Sequence, residues 1–173
     1  MVSDDLKWEG NTQYICKKAR KKIFLLRSMK MSGLSLTELV DAYTKEIRSI
    51  LELAVPVWNF GLTLEQSMEI ERVQKAAISV ILGLQYTTYD EALEKTRLER
   101  LSSRRRKICS KYITKNMNSD QPLLEKVNKK SHFTRSNPGR VIEFQCRTKT
   151  FYDSSLPSLA RLYNQNLKVM SKT

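Results

Sequence analysis

The side chains with the plainest chemistry in this chain are ten cations in two runs. Lys17, Lys18, Arg20, Lys21 and Lys22 form the first, and Arg104, Arg105, Arg106, Lys107 and Lys111 the second. Outward-facing lysine and arginine on a helix offer charge-assisted hydrogen bonds to phosphate oxygens, and such contacts follow a backbone without reading bases. Each phosphate neutralised on duplex DNA adds about −0.9 to the salt slope, so roughly six contacts make binding steeply salt-sensitive. The same runs also suit a merely solvated face. The whole chain favours contact: 31 Lys and Arg against 18 Asp and Glu give a net charge of +13 over 173 residues, an excess that attracts polyanions. On this reading Arg104, Arg105 and Arg106 all face outward, and replacing them with alanine weakens binding evenly across sequences.

Bond-making chemistry has less to work with. Asp4 and Asp5 are adjacent, but a two-metal site needs more than one acidic pair, and they read better as turn residues before Leu6-Lys7-Trp8. His132 is the only histidine and sits in a polar stretch with no local pattern of base and orienting group. Cys16, Cys109 and Cys146 are scattered, which suits reduced thiols inside a cell and not a zinc site. The five glycines form no phosphate loop. The expectation is a protein that is not an enzyme, with no metal and no cofactor. No apolar run of about 20 residues is present for a membrane span. Asp4, Asp5 and Glu9 stand where a signal peptide would be apolar. An intracellular setting, cytoplasmic or nuclear and not secreted, follows as an expectation.

The elements that must carry the cations are helices. Asn11, after Gly10, is a good N-cap for a first helix ending at Gly33, with Ile15, Ala19, Ile23 and Leu26 along its apolar stripe. Ser35-Leu36-Thr37-Glu38 is a capping box for a core helix whose apolar face runs from Leu36 to Ala54 and breaks around Pro56. Thr63-Leu64-Glu65-Gln66 is a second box, opening a helix to Gly83 as C-cap. Thr88-Tyr89-Asp90-Glu91 is a third, for a short helix ending near Thr96. Ser102 or Ser103 then caps the second basic helix, with Leu101, Ile108, Cys109, Tyr112 and Ile113 inward.

After Asn118 the periodicity weakens. A helical turn or two from Asp120 through Val127, a polar run at 128–131 and a turn at 136–139 are the expectations. Ile142, Phe144 and Cys146 alternate with Glu143 and Gln145 as in a short strand, and Pro157 near N1 restarts a helix near 156–167. The fold class is mainly α: an antiparallel helical bundle over 11–118, after a truncated lead-in at 1–10. A loop-rich polar extension over 119–173 contains at most one short strand or hairpin.

Between the core helix and the helix from Thr63 lies "LAVPVWNFGLT", Leu53 to Thr63. The two helices flanking it should pack antiparallel as a helical hairpin. Pro56, Trp58, Phe60 and Gly61 would form its structural corner: Pro56 stops or kinks the first helix, Gly61 gives the chain room to turn, and the aromatics seal one end of the core. A base-stacking platform is the alternative role for those aromatics.

In order and spacing, "DDLKW", "KKARKKIFLLR", "PVW", "IERVQ", "LSSRRRK" and "RTKTFYDSSLPSLARLYN" resemble the region that follows the polymerase in reverse transcriptases of non-LTR, LINE-type (jockey-like) retrotransposons. The resemblance covers roughly Ser3 to Asn166. It implies a non-catalytic part of an RNA-directed DNA polymerase protein whose basic helices help grip template RNA or target DNA, with the polymerase domain of the parent element as a further partner. Met1-Val2 stands where the family has a Leu-Gly strand, which suggests a truncated copy, and Leu53 stands where relatives often carry an aromatic residue. A helical bundle that docks onto an absent polymerase domain is the alternative function. The span 11–56 is also similar to the N-terminal segment of an alkylated-DNA-repair (AlkB-type) homologue, but one histidine cannot supply the two-His, one-carboxylate triad of such an oxygenase.

Overall fold

The computed structural model describes residues 8–118, 122–124 and 139–170. The protein is a mainly α-helical bundle. The elements are α1 (Glu9–Met31), α2 (Leu36–Ala42), a π-helical segment (Tyr43–Arg48), α3 (Ser49–Leu51), α4 (Val55–Trp58), α5 (Leu64–Leu82), α6 (Tyr89–Thr96), α7 (Leu101–Met117), α8 (Lys149–Tyr152) and α9 (Ser155–Met170); 3₁₀ turns occupy Asn59–Gly61 and Gly83–Gln85. Asp4, Asp5, His132 and the expected turn at 136–139 lie, up to Gly139, outside the described residues, as do most of the helical turns expected through Val127 and the polar run at 128–131.

The chain forms two compact units, one from Met1–Ala54 and Leu62–Arg104, the other from Val55–Gly61 and Arg105–Thr173. In the first, α5 lies chiefly along α1, and α2 touches α5 as well. The expected pairing of the core helix with α5 is therefore only part of the arrangement, because the basic helix α1 is the principal partner of α5. Ile15, Cys16, Ala19, Ile23 and Leu26 of α1 and Ile70, Val73, Ala77, Ile78 and Ile81 of α5 are buried. The capping boxes are formed: Ser35 N–H donates to Glu38 Oε2 at 2.8 Å, and Thr63 N–H donates to Gln66 Oε1 at 2.9 Å. At Thr88 only half the box forms, since Glu91 accepts from the Thr87 hydroxyl instead. The start of α1 differs from expectation. Trp8 holds the N-cap position without a side-chain cap, and Asn11 lies inside the helix, where Thr12 and Ile15 turn its first coil inward.

Between Leu36 and Leu51 the buried residues are Leu39, Tyr43, Ile47 and Leu51, a strict every-fourth row. In an α-helix each four-residue step overshoots a full turn by about 40°, so this row would drift off the core. The wider turn from Tyr43 to Arg48, with its i→i+5 bonding, keeps the row in line.

At the centre of this unit a buried polar chain crosses the apolar core. The Tyr43 hydroxyl donates to Gln74 Oε1 at 2.5 Å; Gln74 Nε2 donates to the Tyr89 hydroxyl at 2.8 Å and to the Glu99 carbonyl at 3.0 Å. Tyr89 in turn donates to Glu71 Oε1 at 2.5 Å, and the same oxygen accepts from the Leu101 N–H at 3.2 Å. Gln74 thus ties the π segment, α5, α6 and the approach to α7 through one amide, and the Glu71 carboxylate sits at the start of α7, where orphan N–H groups favour a negative charge. At its far end α5 is closed by Gly83 at φ +57, and Lys30 Nζ donates to the Val80 and Ile81 carbonyls at 2.8 and 3.0 Å.

The second unit gathers the corner and the C-terminal part. Helix α4 and the Asn59–Gly61 turn pack on α9, and α8 packs on α9 as well. Trp58 is 2% exposed. The helix before the corner ends at Leu51, and Ala54, at φ +53, makes the left-handed turn. Pro56 is the second residue of α4, a place where its missing N–H costs nothing, and Gly61 is not among the residues with positive φ. The left-handed turn therefore belongs to Ala54, ahead of both Pro56 and Gly61.

No strand forms over 142–146. The backbone just before it is bonded by a side chain: Asn164 Oδ1 accepts from Val141 N–H at 3.0 Å while Asn164 Nδ2 donates to Val141 O at 3.1 Å and to the Glu143 carboxylate at 2.8 Å. One buried amide thereby meets the Val141 backbone as a neighbouring strand would. Helix α9 begins at Ser155, placing Pro157 third, still within the turn whose N–H groups have no intrahelical acceptor. An Asn166 Nδ2 to Ser110 Oγ bond at 2.8 Å joins α9 to α7.

Two outcomes follow. A Cβ on Gly83 would lie 2.4 Å from Lys30 Nζ, so Gly83→Ala both strains the backbone and evicts the lysine cap. It should lower stability by about 2 kcal/mol in urea titration, against about 1 kcal/mol for Lys30→Met. Burial pushes the Tyr43 phenol well above its ordinary range. Its contribution is therefore intact below the unfolded tyrosine value near 10 and declines as pH rises past it, by about 1.4 kcal/mol per pH unit. Urea titrations between about pH 9 and about pH 11 should show a flatter decline for Tyr43→Phe than for the wild type.

Candidate nucleic-acid interface

Helix α1 buries one stripe against α5 and turns the rest to solvent, and the first cationic run divides between those surroundings. Arg20 pairs with Glu69 at 3.4 Å and Lys22 with Glu46 at 2.9 Å. Both are thereby partly committed within the fold. Lys17, Lys18 and Lys21 are exposed and none has an ion-pair partner among the described residues; Lys18 lies 5.9 Å over the Tyr14 ring. At 100° per residue, Tyr14, Lys17, Lys18, Lys21, Phe24 and Leu25 share the face opposite the buried stripe. Phe24 is 75% exposed. The result is a ridge of exposed ammonium groups interleaved with apolar and aromatic side chains.

The second run divides more sharply. Arg104 is held by Glu52 in a bidentate pair, Nε to Oε1 at 2.5 Å and Nη2 to Oε2 at 3.0 Å, with Arg48 4.0 Å from the same carboxylate. The bond to Glu52 raises the Arg104 guanidinium further above its already high value. Arg105 is 2% exposed, and its Nε donates to Asn59 Oδ1 at 3.0 Å. The expectation that Arg104, Arg105 and Arg106 all face outward therefore fails at Arg105. The reason is visible in the spacing: Leu101, Arg105, Cys109, Ile113 and Met117 are all buried at four-residue intervals, and Arg105 occupies a core position of that row. Tyr112, expected inward, is 40% exposed. Arg106, Lys107 and Lys111 are exposed. Lys107 and Lys111 continue to Lys115, also exposed, and the three stand about 6 Å apart along the axis, one helical step of four residues each. Lys115 did not figure in the sequence reading, although the four-residue spacing would have found it.

The corner does not present its tryptophan. Trp58 is buried, while Pro56, Phe60 and Gly61 are half-buried. Trp58 accordingly serves the core of the second unit and is closed to a stacking base. Burial pushes the Cys109 thiol up to about 11, away from the range in which a thiolate forms near neutrality. Among the described residues, no group of three or more His, Cys, Asp or Glu side chains could hold a metal ion, and no helix is long and apolar enough to cross a membrane.

Fold and surface together define a class, a mainly α-helical bundle with cationic outer faces. No protein-family model, no curated protein and no solved structure matches the chain.

The division of the second run yields a test. Arg105→Ala should destabilise the protein by about 2 to 3 kcal/mol, since it leaves Asn59 Oδ1 and a core position unfilled, with little change in the salt slope of oligonucleotide binding. Arg106→Ala should leave the melting temperature nearly unchanged. Thermal melting and salt titration of the two variants check the assignment.

Proposed function

We propose that this protein grips the backbone of RNA or DNA non-specifically through its basic helices, as a non-catalytic post-polymerase region of a non-LTR retrotransposon reverse transcriptase. The observation that carries the reading is the solvent face of α1, where Lys17, Lys18 and Lys21 are exposed without ion-pair partners among the described residues. The exposed row Lys107, Lys111 and Lys115 on α7 supports it with a second cationic line. Charges already neutralised by a neighbouring carboxylate add little to a phosphate contact, because binding must then break a pair. For this reason Arg20, Lys22 and Arg104 contribute less, and Arg105 acts through the fold. The sequence resemblance supplies the retrotransposon setting; the cationic faces support only the contact with polyphosphate.

A second reading has its own support. Phe24 and Met31, 75% and 89% exposed on the same helix, give α1 an apolar component that suits docking onto another protein surface, such as the polymerase domain.

Replacing Lys17, Lys18 and Lys21 together with glutamine should weaken duplex binding evenly across sequences and flatten the salt slope by roughly two to three. An unchanged slope removes α1 from the interface. Should Phe24→Ser instead abolish self-association while nucleic-acid affinity is absent in the wild type at low salt, the docking reading takes its place.

A further inference from the structure

The second unit carries three half-exposed aromatic side chains, Phe144, Phe151 and Tyr152. Phe144 and Phe151 are 41% and 42% exposed, and their rings meet edge to face, centroids 6.1 Å apart and planes at 85°. Tyr152, the next residue on α8, is 49% exposed. The Arg161 guanidinium lies 3.6 Å over its ring, fixed there by bonds from Nη2 to the Tyr152 carbonyl at 2.6 Å and to Ser158 Oγ at 2.9 Å. Neighbouring residues on a helix diverge by about 100°, so Phe151 and Tyr152 point to two separate stations. Phe144 follows a segment that Asn164 ties down through the Val141 backbone and the Glu143 carboxylate. These aromatics are therefore exposed and also positioned.

Their electrostatic surroundings are one-sided. From Arg140 to Arg161 the chain has four cations, Arg140, Arg147, Lys149 and Arg161, and two acids, Glu143 and Asp153. Glu143 is engaged by Arg140 at 3.2 Å and by Asn164. Arg147 and Lys149 are exposed and have no ion-pair partner among the described residues.

We infer that Phe144, Phe151 and Tyr152 form a stacking ledge for unpaired bases of a single-stranded nucleic acid, with Arg147 and Lys149 meeting its phosphates. This deepens the proposed grip on nucleic acid and rests on it. Every base has a π-face, so an aromatic ledge is tolerant of sequence, whereas a duplex keeps its faces stacked internally and cannot use it. The edge-to-face Phe pair and the Arg-backed Tyr are held before any ligand arrives, which reduces the ordering cost of binding.

The experiment measures fluorescence anisotropy of the full chain with labelled oligo(dT), oligo(U) and a duplex of equal length, about 20 nucleotides, at two salt concentrations. Phe151→Leu and Tyr152→Leu keep apolar bulk and remove the π-face. Each should weaken single-strand binding roughly ten-fold, leaving duplex affinity, salt slope and circular dichroism unchanged. Arg147→Gln with Lys149→Gln should lower the single-strand salt slope by roughly one to two. Single-strand and duplex affinities that fall together, or a single-strand affinity untouched by both leucine variants, overturn the ledge. If the ledge alone is wrong, wild-type duplex binding and its salt slope persist; if the broader reading is wrong, the wild type binds none of the probes.

Discussion

The structure depends most on a single side-chain amide, that of Gln74. An amide offers both acceptor and donors, and this one accepts from Tyr43 while donating to Tyr89 and to the Glu99 carbonyl. Burying it unpaired would cost several kcal/mol, so the packing of α5 on its neighbours is tied to those partners being in place. The chain through Tyr89 to Glu71 extends the constraint to the first N–H of α7. A core of aliphatic residues alone would tolerate rotation and sliding of its helices; a polar chain of fixed length does not. The positions from which the cations of α1 reach solvent are set by the same requirement, since α1 is seated on α5.

The π-helical segment belongs to this constraint. It brings Tyr43 and Ile47 into one line with Leu39 and Leu51, and so delivers the tyrosine hydroxyl to Gln74. Segments of this kind are rare and usually a single turn long, and here one carries a fully buried hydrogen bond and an unbroken apolar row.

Much of the fold was legible in the sequence. Capping boxes at Ser35 and Thr63, a glycine at the end of α5 and amphipathic spacing in α1 and α5 are local signals, and local signals lead to the right helices. What could not be read depends on partners distant in the chain. Ile142 to Cys146 alternates like a strand, yet no strand forms there, and the backbone just before it, at Val141, is bonded by the side chain of Asn164; no alternation reports that. Trp58 reads as the plug of a hairpin, but its surroundings come from α9. Of the candidate site, charge alone could identify the two cationic runs. It could not separate the cations already engaged by Glu46, Glu52 and Glu69 from those left to solvent, because each pair spans tens of residues. Arg105 was the instructive case: its type says surface and its four-residue register says core, and register prevailed.

The interleaving of the two units also has a temporal side. Residues 55–61 belong to the unit completed by α9, which leaves the ribosome about 100 residues later. At the usual pace of synthesis, about 5–20 residues per second, Val55 and Trp58 wait on the order of five to twenty seconds for α9. During that interval the nascent chain displays Val55 and Trp58, which the finished molecule buries.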